Sequence, residues 1–100
     1  MLVLIVERFP ESLRGDLTRW LLEPHPGVFV GRVSAEVRDR LWERVINELA
    51  RREAESSAAV LVYAAQNEQG YEFRVHGDPD REVMDFEGLW LVRRRHPVHD

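Results

Sequence analysis

Residues Leu2-Val3-Leu4-Ile5-Val6 form an unbroken apolar run rich in β-branched side chains, closed by Glu7. Such a run reads as a buried strand, and it sets the first element around which everything after it must pack. Ser12 is a suitable helix N-cap, Leu13, Leu17, Trp20 and Leu21 recur at helical spacing, and Pro24 and Pro26 end the pattern. A first helix over about 12–22 follows. Val28-Phe29-Val30, bracketed by Gly27 and Gly31, predicts a short strand. Ser34 then caps a second helix whose buried stripe is Val37, Leu41, Val45 and Leu49, widened by Trp42 and Ile46. Its other faces carry Glu36 ahead of Arg40 and Glu48 ahead of Arg52, the favourable order for exposed ion pairs.

Residues 58–65 are apolar and β-prone, Asn67-Glu68-Gln69-Gly70 is turn-like, and Tyr71, Phe73 and Val75 alternate with Glu72, Arg74 and His76. This is a hairpin. Gly77-Asp78-Pro79-Asp80 breaks the chain again, and Leu89-Trp90-Leu91-Val92 after Gly88 reads as a last short strand. The order strand, helix, strand, helix, strand, strand, with a terminal strand, predicts an α+β fold. The arrangement expected is a ferredoxin-like two-layer plait with both helices on one face. One domain over residues 1–92, including a terminal strand at 88–92, is followed by an expected flexible tail over 93–100. A chain of 100 residues, 44% hydrophobic, suffices for one core but leaves a homodimer interface as a natural source of further stability. No run of about 18 apolar residues occurs, and the apolar opening lacks a basic flank and a cleavage site, so a soluble cytoplasmic protein is expected.

The absence of cysteine excludes disulfides and thiolate metal sites. A formal net charge of −4 argues against a protein that coats nucleic acid by its overall field, so any such binding must use local patches. All 14 basic residues are arginine, whose planar fork suits bidentate phosphate contact, although arginine-favouring codon usage produces the same bias. Arg93-Arg94-Arg95 is the strongest local run, and Arg14 and Arg38 sit in the first turns of the two expected helices. Phosphate loops, nucleophile elbows and zinc spacings are missing from the sequence. Glu7 is the conspicuous carboxylate, placed where open sheets put ligands, yet a single acid there more often faces solvent or pairs with a neighbour such as Arg8. His96 and His99 stand at metal-ligand spacing, but Pro97 and the chain end argue for a solvated tail. His25 and His76 have no acid or nucleophile at catalytic spacing, and Trp20 and Trp42 read as core.

A set of ordered segments goes further: Leu13-Arg14-Gly15, Trp20-Leu21-Leu22-Glu23, Gly27-Val28-Phe29-Val30-Gly31, Val33-Ser34-Ala35 with Arg38 and Trp42, Gly70-Tyr71-Glu72-Phe73, Gly77, and Asp85 with Gly88-Leu89 and Leu91-Val92. In these the chain resembles CRISPR-associated protein 2, in its type I-E branch, over nearly its whole length. The resemblance implies a ferredoxin-like homodimer that sits between integrase dimers and holds a double-stranded prespacer DNA for insertion into the CRISPR array. It implies duplex-backbone contacts at Arg14, Arg38 and Arg81, with Asp80 standing where the family pattern has a second arginine. The segment Leu89, Trp90, Leu91, Val92, Arg93 and Arg94 is expected to dock on the integrase subunit, and the competing reading is an ordinary edge strand. Other branches of the family carry an aspartate at the end of the first strand and are described as metal-dependent endonucleases. Here Glu7 matches it, and two copies across a dimer axis could share one Mg²⁺. An adaptor needing no cofactor is the first expectation, and weak Mg²⁺-dependent phosphodiester hydrolysis is the alternative.

Overall fold

The computed structural model describes residues 1–51, 57–77, 81–86 and 89–94. The apolar run forms strand β1 (Leu2–Glu7), at the centre of an antiparallel sheet ordered β2-β3-β1-β4-β5. Its other members are β2 (Leu22–His25), β3 (Val28–Gly31), β4 (Ala58–Ala64) and β5 (Tyr71–Gly77). Helix α1 (Glu11–Leu17) links β1 to β2, and α2 (Ala35–Ala50) links β3 to β4. Two crossovers interleaved in this way make the ferredoxin-like plait expected from the order of elements, with β5 added by the expected hairpin.

The period of two along β1 decides where the core lies. Leu2, Leu4 and Val6 are buried, and the register places Leu4 beside Phe29 and Leu61, and Val6 beside Ala59. On this face they meet Leu13 and Leu17 of α1 and Trp42, Val45 and Leu49 of α2. Phe29 is wholly buried, and removing such a ring costs about 3–5 kcal/mol. Ser34 caps α2 as expected, its Oγ accepting from the Val37 N–H at 3.2 Å, a contact of about 1 kcal/mol. Glu36 pairs with Arg40 at 2.8 Å. Glu48 takes Arg51, at 3.5 Å, while its expected partner Arg52 lies outside the described residues.

The first helix departs from expectation. It ends at Leu17, not about 22, and starts after Pro10 without a side-chain cap, so Ser12 lies inside it. Thr18 stops it by turning its hydroxyl back onto the Arg14 carbonyl at 2.9 Å, a local bond that competes with helix propagation. The chain then tightens, with the N–H groups of Trp20 and Leu21 both donating to the Leu17 carbonyl. Leu21 still reaches the core, but Trp20 is 57% exposed and is not a core residue. Residues 22–25, read as a helix terminus because of Pro24, form β2. Proline is tolerated there because β2 is an edge strand paired only with β3, with its register shifted between Leu22 and His25.

Gly27 makes the β2–β3 turn possible. Its φ is +81°, its carbonyl accepts the Val6 N–H at 2.8 Å, and a Cβ there would lie 2.7 Å from the Val6 carbonyl oxygen. Only glycine meets both demands.

A second correction concerns the C-terminal part. Residues 81–86 form a strand, β6 (Arg81–Phe86), that the sequence reading left out, and β7 (Leu89–Arg94) pairs with it in a separate two-stranded sheet. Arg-Glu-Val-Met-Asp-Phe lacks the alternation that announces a half-buried strand, and its partner supplies the order. The terminal strand therefore runs to Arg94, two residues beyond its expected end, and Arg93 and Arg94 belong to it and not to a tail. Residues 95–100, with Arg95, His96 and His99, lie outside the described residues.

Candidate nucleic-acid interface

Arg14, in the two turns of α1, is held on three sides. Its Nε donates to both carboxylate oxygens of Glu23, at 2.9 and 3.0 Å, one terminal nitrogen contacts Glu11, and its guanidinium stacks 4.8 Å from the Phe9 ring centroid. Glu23 also accepts the Gly27 N–H at 2.9 Å. That bond, with the Arg14 fork beside it, holds the Glu23 carboxyl below its usual range, and the two carboxylates raise Arg14 above its own. The two partners differ in exposure, 14% for Glu23 against 82% for Glu11. Glu23 thus ties α1 to the β2–β3 turn, whereas the exposed Glu11 contact is of the kind a phosphate displaces at little cost.

Arg38 stands in the first turn of α2. Its guanidinium lies 4.1 Å from the centroid of Tyr63 on β4, and its Nε donates to Asp39 at 3.0 Å. Arg74 on β5 approaches the same ring, at 5.0 Å, and the same carboxylate oxygen of Asp39, at 2.9 Å. Hydrogen bonds from Arg38 and then Arg74 keep Asp39 ionised below the usual aspartate range. Burial works against the charge on Arg74, but its bonds to Tyr63 and Asp39 outweigh this and raise it. A depression of about 100 Å³, lined by Met1, Leu2, Val33, Arg38, Tyr63 and Ala64, opens beside the cluster.

Glu7 closes β1 on the side away from the helices, in phase with Val3 and Ile5. It lies 3.4 Å from the Arg8 guanidinium, the neighbour pairing anticipated from sequence. Among the described residues, no three acidic or histidine side chains converge in a way that would hold a metal ion. The described residues of one chain bring a single carboxylate to this place, and Mg²⁺ keeps several waters and is commonly held by one or two carboxylates with phosphate oxygens, so one chain would supply only part of a ligand set. The sheet face that Glu7 borders is apolar and, among the described residues, carries no helix. Two registered rows cross four strands there: Val28, Ile5, Val60 and Val75, and Val30, Val3, Val62 and Phe73. Ile5 and Val75 are 36% and 41% exposed.

The remaining expected residues lie on the second sheet. Arg81 opens β6 directly opposite Arg94, and Glu82 stands opposite Arg93. Leu89, Trp90, Leu91 and Val92 occupy β7, with Val92 54% exposed. Asp80 lies outside the described residues. The fold therefore groups the expected residues at separate places: Arg14 by the β2–β3 turn, Arg38 at the β4–β5 side of α2, Arg81 on the hairpin and Glu7 at the border of the open face. His25 and His76 join none of these. Tyr63, Asp39 and Arg74 were missed, because nothing local in sequence marks them. Arg74 read only as the polar phase of a strand, and its partners are 11 and 35 positions away. Among the described residues no helix is long and apolar enough to cross a membrane.

Residues 1–91 match the model of a family described as CRISPR-associated protein (Cas_Cas2CT1978). The match spans both helices, all five strands of the main sheet and β6.

Proposed function

Because the chain belongs to this CRISPR-associated family, we propose that it is the dimeric, non-hydrolytic adaptor of a spacer-acquisition complex, of the type I-E kind, working in the cytoplasm. It bridges integrase dimers and holds double-stranded prespacer DNA for integration into the array. The observation that carries the reading is the uncovered apolar sheet face. Monomeric proteins rarely leave so continuous an apolar surface in water, and a flat face made of like residues is complementary to its own two-fold copy. A second copy of this chain is the occupant that the family membership favours, and pairing would place both helical layers, with Arg14 and Arg38, outward on the two sides of one particle. Phosphate contact then uses the arginines that are only partly spent on carboxylates. Arg38 offers its terminal nitrogens, Arg14 exchanges Glu11 for phosphate, and Arg81 contributes from the β6–β7 hairpin, whose strand β7 meets the integrase subunit.

The hydrolytic alternative rests on Glu7. Pairing through the open face would bring two copies of Glu7 nearer each other, an arrangement in which this residue acquires a second carboxylate for Mg²⁺. The two readings part in a reconstituted integration assay with the family's integrase. Glu7→Ala should integrate prespacers at close to the wild-type rate, while alanine at Arg14, Arg38 and Arg81 together should abolish duplex retention without preventing dimer formation. Loss of integration in Glu7→Ala, with dimer and complex intact, would put hydrolysis ahead.

A further inference from the structure

We propose that Arg74 is a further phosphate-contacting residue, forming with Arg38 a two-arginine clamp, built on Tyr63 and Asp39, for one phosphodiester of a nucleic-acid backbone. The proposal rests on the DNA-holding reading for its ligand, and on geometry of its own for the site.

The first part of that geometry is charge. Most ion-paired arginines among the described residues have a carboxylate to themselves: Arg8 has Glu7, Arg40 has Glu36, Arg44 has Asp16, Arg51 has Glu48, and Arg14 has two. Arg38 and Arg74 instead share the one carboxylate of Asp39. The pair keeps one net positive charge on a chain whose overall charge is −4. The second part is order. Both guanidiniums lie within about 6 Å of one ring centroid, the range of cation–π attraction, at 4.1 and 5.0 Å. A guanidinium has five N–H groups, and Asp39 engages Nε of Arg38 and Nη1 of Arg74, leaving further donors on each fork for another acceptor.

Position completes the case. Register places Arg74 opposite Leu61, on the helix-covered side of the sheet, on the border strand β5. Its side chain is 31% exposed and that of Arg38 20%, enough to meet a backbone passing along the β5 side of α2. Two forks already fixed by ring and carboxylate lose little further freedom when a phosphate binds, which is the advantage of arginine in such sites.

Duplex binding measured over a series of salt concentrations tests this with Arg38→Gln, Arg74→Gln and Arg74→Lys. Arg74→Gln should weaken binding about as much as Arg38→Gln and lower the log–log salt slope by about 0.9, the change expected for one lost phosphate contact. Arg74→Lys, which keeps the charge, should recover most of the slope, something a residue that only packs on Tyr63 would not require. Wild-type affinity and slope in a folded Arg74→Gln would overturn the clamp. A direct titration of the wild-type protein with inorganic phosphate, following the Nε–H resonances of Arg38 and Arg74, needs no variant to fold. Shifts in both support the clamp, and shifts in Arg38 alone or in neither overturn it. If wild type fails to bind duplex yet phosphate shifts both resonances, the duplex reading falls and the anion site stands.

Discussion

Glu23 shows how one carboxylate can tie a helix to a turn through two bonds at once. It accepts from the Gly27 N–H and from Arg14 Nε, and both bonds favour its ionised form. Its folded-state pKa lies below the usual 4.5, so its contribution to stability is present above that value and is lost as pH falls through the lower, folded value. Asp39 behaves in the same sense from its usual 3.8. Thermal unfolding followed from pH 7 downward should therefore show a falling midpoint once pH drops below about 4.5. Glu23→Gln should unfold at a lower temperature than wild type at pH 7 and lose less of its midpoint on acidification. Equal pH dependence in the two proteins would mean that Glu23 is not tied as described. On the proposed reading Arg14 has two tasks, the tie to Glu23 and a phosphate contact, so Glu11→Gln, which removes only its exposed partner, should leave the fold unchanged and not weaken duplex binding.

At the scale of elements, the β6–β7 hairpin stands apart from the five-stranded sheet that encloses the core. Among the residues whose burial is described, the buried ones that hold α1 and α2 to the sheet all precede residue 62. Ending the chain at Glu87 removes β7 and leaves that set whole. The truncated protein should keep a wild-type unfolding midpoint to within a few degrees, since a loss of 1 kcal/mol shifts a domain of this size by about 4–8 °C. It should no longer co-purify with the integrase or support integration. Unfolding of the truncated chain would make the hairpin a structural element of the subunit, and normal integrase binding would move docking elsewhere. The pairing of β7 with β6 already changes what docking can be. One edge of β7 is occupied within the chain, so a partner adds to its other edge or packs on its side chains.

For the whole molecule the decisive feature is an asymmetric sheet, covered on one side by two helices, with no described helix on the other. Sedimentation at micromolar concentration should give a species larger than the 11.7 kDa chain. Ile5→Asp sets a charge in the middle strand of the bare face without touching the helix-covered core. An unpaired buried charge costs roughly 3–5 kcal/mol, and a two-fold interface would receive two, so dissociation should strengthen by on the order of a thousandfold or more. A wild type that sediments only as the single chain would remove the homodimer, and with it the means by which two Glu7 residues could meet. An unaffected Ile5→Asp dimer would place the interface on another surface.

The sequence by itself determined the layout that periodicity can carry: β1, the capped second helix, the β4–β5 hairpin and the plait that their order implies. Each of these is announced within a few residues, by an apolar run, a serine followed by an amphipathic stripe, or an alternation closed by Gly70. The sequence also pointed to Arg14, Arg38 and Glu7, but only as positions. Tertiary structure decided the elements whose stability is borrowed from a neighbour, namely the proline-bearing edge strand β2 and the charge-rich β6. It likewise decided that Trp20 faces solvent, because Thr18 ends α1 before the helical spacing can carry the indole inward. It alone brought Arg38, Asp39, Tyr63 and Arg74 to one place, since a cluster drawn from α2, β4 and β5 depends on how a helix crosses a sheet, and no local pattern encodes that crossing.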